Sequence, residues 1–161
     1  MVEALVETAK QTCMIFVILV GATLFSYFIA FSRLGNSLIS YIESTNLSPL
    51  GVLLLVILMY LILGLFLDLF RSILLTLPLV FPLITSLGYD PIWFGIVVVL
   101  VLEIGLVTPP VGINLYITSQ QSGVSVKKVL QGSIPFIGVL LFVVFLLILF
   151  PELVLYLPSK M

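Results

Sequence analysis

The chain has 161 residues, of which 62% are hydrophobic and only 8% charged, with a formal net charge of −1. Soluble domains average roughly 45–50% apolar and about 25% charged, so this is an integral membrane protein, and the spanning helices, re-entrant hairpin and broken helix read along the chain make the expected fold all-α. Six lysines and arginines make no basic patch for nucleic acid, and the absence of histidine removes the usual proton relay and zinc or haem ligand.

Residues 3–11 read as a helical lead-in, with Glu3, Glu7 and Lys10 at helix spacing. The start, "MVEALVETAK", is acidic rather than basic and has no cleavage-like region, so no signal peptide is expected. Residues 12–31 are long enough to cross a ~30 Å hydrocarbon core. The single cysteine, Cys13, lies in this apolar run and is expected as a packed thiol. Residues 32–49 are mixed and polar, which fits an interfacial amphipathic arm with Arg33, Tyr41 and Glu43 at headgroup level.

The stretch 50–63 is short for a span, roughly 21 Å as a helix. "GLFLDLFRS" (64–72) interrupts it, and 73–87 is again short and holds Pro78 and Pro82. Two short apolar helices around a polar tip read as a re-entrant hairpin over 50–87. Two ordinary spans joined by a tight turn are the alternative, and length does not separate the two.

At "GYDPIWFG" the chain restarts: Asp90 suits a helix cap, Pro91 the first helical position, and Trp93 the membrane interface. The helix is expected to run over 91–120 with a break at "TPPVG". Residues 121–133 read as a polar connector with a short interfacial helix opened by Ser125. A plain spanning helix over 134–151 follows, ended by Pro151. Parity groups Lys10, Lys127 and Lys128 on one side, against Arg33 and Lys160 on the other. The positive-inside tendency makes the first side cytoplasmic.

The break carries the chemistry. Proline has no N–H, so Pro109 and Pro110 cannot donate to the carbonyls of Gly105 and Leu106. Unsatisfied carbonyls in lipid cost several kcal/mol each, so such a break needs protein, water or an ion to replace the donors. The freed carbonyls and the Thr108 hydroxyl form an oxygen cluster suited to a hard monovalent cation. Beyond them, Val111, Gly112 and Ile113 open a helix whose free N–H groups suit an anion, and Asn114 adds an amide. Gly112 permits close approach of a ligand to the backbone. A proline kink that merely bends the helix is the bland alternative.

Each intramembrane charge costs at least ~2.5 kcal/mol at the bilayer centre. Three are candidates: Asp68 and Arg71 at the hairpin tip, and Glu103 before the break. Asp68 and Arg71, three apart, suit a structural ion pair as well as a ligand role. Glu103 suits pairing with Arg71, tuning of the ion site, or helix packing. Short, broken elements meeting at mid-membrane point to the binding site of a secondary transporter. No nucleophile–base pair or metal cluster suggests an enzyme.

The segment "LGLFLDLFRSILLTLPLVFPLITSLGYDPIWFGIVVVLVLEIGLVTPPVGINLYI" closely resembles the C-terminal half of the large permease subunit of tripartite ATP-independent periplasmic (TRAP) transporters. "ETAKQT" and "SIPFIGVLLFVVFLLILFPELVLYLP" also fit that family. The resemblance implies a sodium-coupled, elevator-type importer of small organic anions such as carboxylates, in the bacterial inner membrane. Sodium is then the coupling ion and no other cofactor is expected. Expected partners are a periplasmic substrate-binding protein, a small membrane subunit and the N-terminal half of the large subunit, since the site forms from two inverted halves. On this pattern Gly64 and Asp68 match the hairpin tip. Glu103, Gly105, Thr108, Pro109, Pro110, Gly112 and Asn114 match the broken helix, and Arg71 matches no family signature. The expected sodium group is Gly64, Asp68, Gly105, Leu106 and Thr108. The expected anion group is Val111, Gly112, Ile113, Asn114 and Arg71, with Glu103, Pro109 and Pro110 coupling or structural. A membrane scaffold or inactive fragment, or half of another sodium/anion symporter, is the alternative.

Overall fold

The computed structural model describes residues 2–32, 37, 40, 47–109 and 112–160. The described residues form helices α1 (Val2–Ser32), α2 (Pro49–Phe66), α3 (Leu69–Ser86), α4 (Pro91–Leu106), α5 (Ile113–Ser122), α6 (Val126–Leu149) and α7 (Glu152–Leu155), then a 3₁₀ turn at Pro158–Lys160. Among them α2, α3 and α6 are long and apolar enough to cross a membrane, and α4 is a shorter apolar helix. The chain is thus an all-α, multi-pass membrane protein. Most of the expected interfacial arm, with Arg33, Tyr41 and Glu43, lies outside the described residues.

Helix α4 is the central column. It packs most extensively on α2 and also touches α3, α5, α6 and α7. Trp93, Phe94, Val97, Val98, Val101, Leu102 and Ile104 are buried on it. Its start follows from local chemistry: the Asp90 carboxylate accepts the N–H groups of Ile92 (2.8 Å) and Trp93 (3.1 Å), while Pro91 occupies a first-turn position that needs no donor.

Several boundaries differ from expectation. The lead-in and the 12–31 segment are one continuous 31-residue helix, α1, on which Cys13 is exposed rather than packed. Helix α1 makes its principal contact with α3, so much of its surface has no neighbour among the described residues. Helix α2 runs on through Gly64 to Phe66, giving 18 residues rather than about 14. The polar interruption therefore shrinks from 64–72 to Leu67 and Asp68. The connector 121–133 and the last span also fuse, because only Gly123–Ser125 leaves helical geometry. Gly123 closes α5 in the left-handed region (φ 69°), and Lys127, Lys128 and Gln131 are good helix formers that extend α6.

Trp93, expected at the interface, is 2% exposed and its indole N–H donates to the Leu147 carbonyl at 2.7 Å. The intrahelical donor for that carbonyl would be residue 151, a proline without an N–H. Trp93 thus supplies from α4 the hydrogen bond that α6 lacks at its end. Tyr60 and Thr76, similarly spaced either side of the Leu67–Asp68 tip, link α2 to α3. Their hydroxyls lie 2.7 Å apart, and the Thr76 oxygen is also 2.7 Å from the Ser72 carbonyl. One proton each satisfies both bonds if Tyr60 donates to Thr76 and Thr76 donates to Ser72.

Candidate functional site

Contacts along α2 and α4 advance together: Tyr60 sits edge-on to Phe94, and Gly64 meets Leu102 and Gly105. The two helices therefore run parallel, and their carboxyl ends arrive at the same level. A side-chain carbon on Gly64 would lie 2.9 Å from the Leu102 carbonyl oxygen, and one on Gly105 would lie 2.6 Å from the Gly64 carbonyl carbon. Only glycine fits at either position. This backbone-to-backbone crossing brings the hairpin tip and the helix break to one end of the bundle, each about one turn away.

At the tip, Leu67 and Asp68 are extended and separate the two helices. The Asp68 carboxylate caps α3 by accepting the Arg71 N–H at 3.0 Å, and its other oxygen pairs with Arg71 Nε at 3.0 Å. Of the two roles open to these residues, the ion pair is formed. Arg71 goes to Asp68 and not to Glu103, which is half-buried and has no ion-pair partner among the described residues.

At the break, the last turn of α4 tightens. Thr108 N–H donates to the Gly105 carbonyl at 3.0 Å, and Thr108 Oγ1 donates to the Ile104 carbonyl at 2.6 Å. The Gly105 carbonyl, expected to be freed by Pro109, has thus found a donor one residue earlier, as helix ends commonly do by i→i+3 bonding. It keeps one lone pair, and the Thr108 oxygen keeps its acceptor capacity. The Leu106 side chain is buried. Pro109 is exposed, while Pro110 and Val111 lie outside the described residues.

Helix α5 then opens at Gly112, which is left-handed (φ 52°, ψ 62°) and provides no side-chain cap to the first N–H groups. A side-chain carbon there would sit 2.9 Å from Leu115 Cδ1 and 3.3 Å from the Thr108 carbonyl oxygen. The glycine is required both by conformation and by space. Ile113 and Asn114 occupy the first turn and are half-buried.

Comparison with known proteins adds the decisive observation. The family model described as "Tripartite ATP-independent periplasmic transporter, DctM component" matches residues 1–153. The chain belongs to this family. Among curated relatives of this TRAP permease segment, it is 35% identical to the C4-dicarboxylate TRAP transporter large permease protein DctM of Pseudomonas aeruginosa, covering 98% of this chain and 37% of the relative. It is 33% identical to the sialic acid TRAP transporter large permease protein SiaM of Vibrio cholerae, again over 98% and 37%. An ectoine/5-hydroxyectoine large permease protein from Ruegeria pomeroyi is 30% identical over 94% of the chain and 36% of its own length. The TRAP segment thus spans little more than a third of the relatives it matches. These relatives are named as permeases, which move solutes rather than transform them.

Sequence reasoning brought Gly64 and Gly105 forward as expected ion ligands and missed that they form the packing contact between α2 and α4. The inward role of Trp93 was also missed, and Pro151 at the end of α6 was its only trace.

Proposed function

We propose that residues 1–161 are part of a sodium-coupled secondary transporter of the bacterial inner membrane that imports small organic anions. The observation that carries this reading is the convergence of the α2 and α4 carboxyl ends at Gly64 and Gly105, beside the break that opens α5. Carbonyl ends favour a cation, and an uncapped helix start favours an anion. The sodium ion would lie among the backbone oxygens of Gly64, Gly105 and Leu106 and the Thr108 hydroxyl, with Asp68 nearby. The substrate would take the N–H groups from Val111 to Ile113 and the Asn114 amide, with Arg71 as a further positive group. Glu103, Pro109 and Pro110 would hold the broken geometry and couple the two sites.

A periplasmic binding protein would deliver the anion, and a small membrane subunit and the rest of the permease would complete the machine. The hairpin α2–α3 would be re-entrant and move with α4 and α5 in an elevator-like step. Relatives are named for C4-dicarboxylate, sialic acid, ectoine and isethionate. Each of these carries an acid group, ectoine within a zwitterion, so the carboxylate or sulfonate group rather than one particular acid is what the site would recognise. The test is uptake into proteoliposomes holding the complete complex and binding protein, with an imposed sodium gradient. Uptake should follow the sodium gradient and collapse when it is dissipated. Equal uptake with sodium replaced by a large organic cation would overturn the coupling.

A further inference from the structure

One face of α4 has no neighbour among the described residues. Ile92, Ile96 and Val99 are 51%, 41% and 42% exposed, and with Glu103 and Val107 they recur every three to four residues along one stripe. Gly95 lies beside it, and a side-chain carbon there would meet nothing within 4 Å. The stripe is therefore apolar, smooth at one point and closed by a carboxylate. Lipid covers an apolar stripe well but not Glu103, since an unpaired carboxylate at membrane depth is costly. Among the described residues Arg71 is already held by Asp68, and neither Lys127 nor Lys128 forms an ion pair with Glu103. The cation that would neutralise Glu103 has to come from elsewhere.

We infer that this stripe is the seam along which the remaining part of the permease packs, through a membrane helix that brings a lysine or arginine opposite Glu103. The occupant follows from three observations. The chain spans only 37% of its Pseudomonas relative, so most of the permease lies outside it. Helix α4 is covered on its other sides by α2, α3, α5, α6 and α7, so among the described residues the stripe is the face still open to a further helix. Gly95 admits a close helix approach of the kind small residues allow in membranes. The inference rests on family membership and coverage, and is independent of sodium coupling.

The experiment places a photoreactive benzoylphenylalanine at Ile96 or Val99 in the membrane-assembled permease. On irradiation the adduct should map to a permease segment outside residues 1–161, with a lysine or arginine within roughly one helical turn of it. Glu103→Lys should lower recovery of assembled permease about tenfold or more, and changing the located cation to glutamate should restore it. Adducts only to lipid or to another copy of residues 1–161 would overturn the seam. So would Glu103→Cys reacting with a water-soluble thiol reagent in membranes as fast as Val124→Cys in the α5–α6 loop.

Discussion

Gly64 and Gly105 touch backbone to backbone: a side-chain carbon on Gly105 would come within 2.7 Å of the Gly64 Cα. The contact locks the carboxyl ends of α2 and α4 together and so sets the distance between the hairpin tip and the helix break. Packing and any ion coordination here depend on the same two residues.

Gly105→Ala should therefore be destabilising, although alanine is the better helix former. The obstructing atoms are Gly64 backbone, which cannot rotate away, so α2 and α4 must part. Overpacking of this kind costs on the order of 1–3 kcal/mol. Gly138→Ala, on α6 with nothing within 4 Å of the added carbon, should be neutral or gain up to about 1 kcal/mol from helix propensity. Thermal unfolding of the two variants in detergent checks the contrast, and equal midpoints would contradict the tight crossing.

Trp93→Phe keeps most of the buried ring but leaves the Leu147 carbonyl without its donor. A buried unsatisfied acceptor costs about 1–3 kcal/mol. The penalty should shrink when Pro151 is also replaced by alanine, because residue 151 regains an N–H and Phe150 is freed from the restriction that precedes proline. In the structure Phe150 is non-helical, at φ −127° and ψ 73°. A double-mutant cycle on thermal stability reads the coupling, and strict additivity would show that Pro151 has no part in it.

The break between α4 and α5 and the Asp90–Pro91 start were legible because proline and helix caps act through local backbone chemistry. The Asp68–Arg71 pair was legible as one of two options, since three-residue spacing permits it without requiring it. The Gly64–Gly105 crossing was not, because a glycine reads the same whether it admits a ligand or a neighbouring helix. The Trp93–Leu147 bond joins residues 54 apart in sequence, beyond the reach of any local pattern. The fusion of 121–133 with the last span was hidden by polarity: Lys127, Lys128 and Gln131 look like a loop but are good helix formers.

The depth of the hairpin tip is open to direct measurement. At 18 residues each, α2 and α3 are about 27 Å long, close to the ~30 Å core. Ser72, one turn past the tip, is fully buried and would be unreactive at any depth. Phe70 is 74% exposed and reports better. A re-entrant tip predicts that Phe70→Cys reacts far more slowly with a bulky maleimide on the cytoplasmic side than Val124→Cys does. Equal rates would mean that α2 and α3 cross fully.

Asp68→Asn separates the cap from the charge. Asparagine caps helices as well as aspartate, so the hydrogen bond to the Arg71 N–H should survive while the ion pair is lost. Asp68 and Arg71 side chains are 40% and 48% exposed, and a pair so exposed is worth at most about 1 kcal/mol. Thermal stability should then change little. If Asp68 also favours sodium, the half-saturating sodium concentration for uptake should rise in the same variant. A large loss of stability with unchanged sodium dependence would make the residue structural alone.

Thr108 offers the narrowest test of the ion reading. Its hydroxyl proton points back to the Ile104 carbonyl at 2.6 Å, so the oxygen lone pairs are turned away from α4 and remain available to a cation. Thr108→Ser keeps the oxygen in place and should keep the sodium dependence of uptake. Thr108→Ala removes the oxygen; the contact of a neutral polar group with a charge is worth about 1.5–3 kcal/mol, so half-saturation by sodium should shift upward by about tenfold or more. The lost bond to Ile104 alone predicts something different: a small change in stability and no change in sodium affinity. Uptake measured against sodium concentration, with thermal stability measured on the same preparations, separates the two. If Thr108→Ala and Thr108→Ser both keep the wild-type half-saturation, the hydroxyl serves only to close the last turn of α4, and the cation must be held without it.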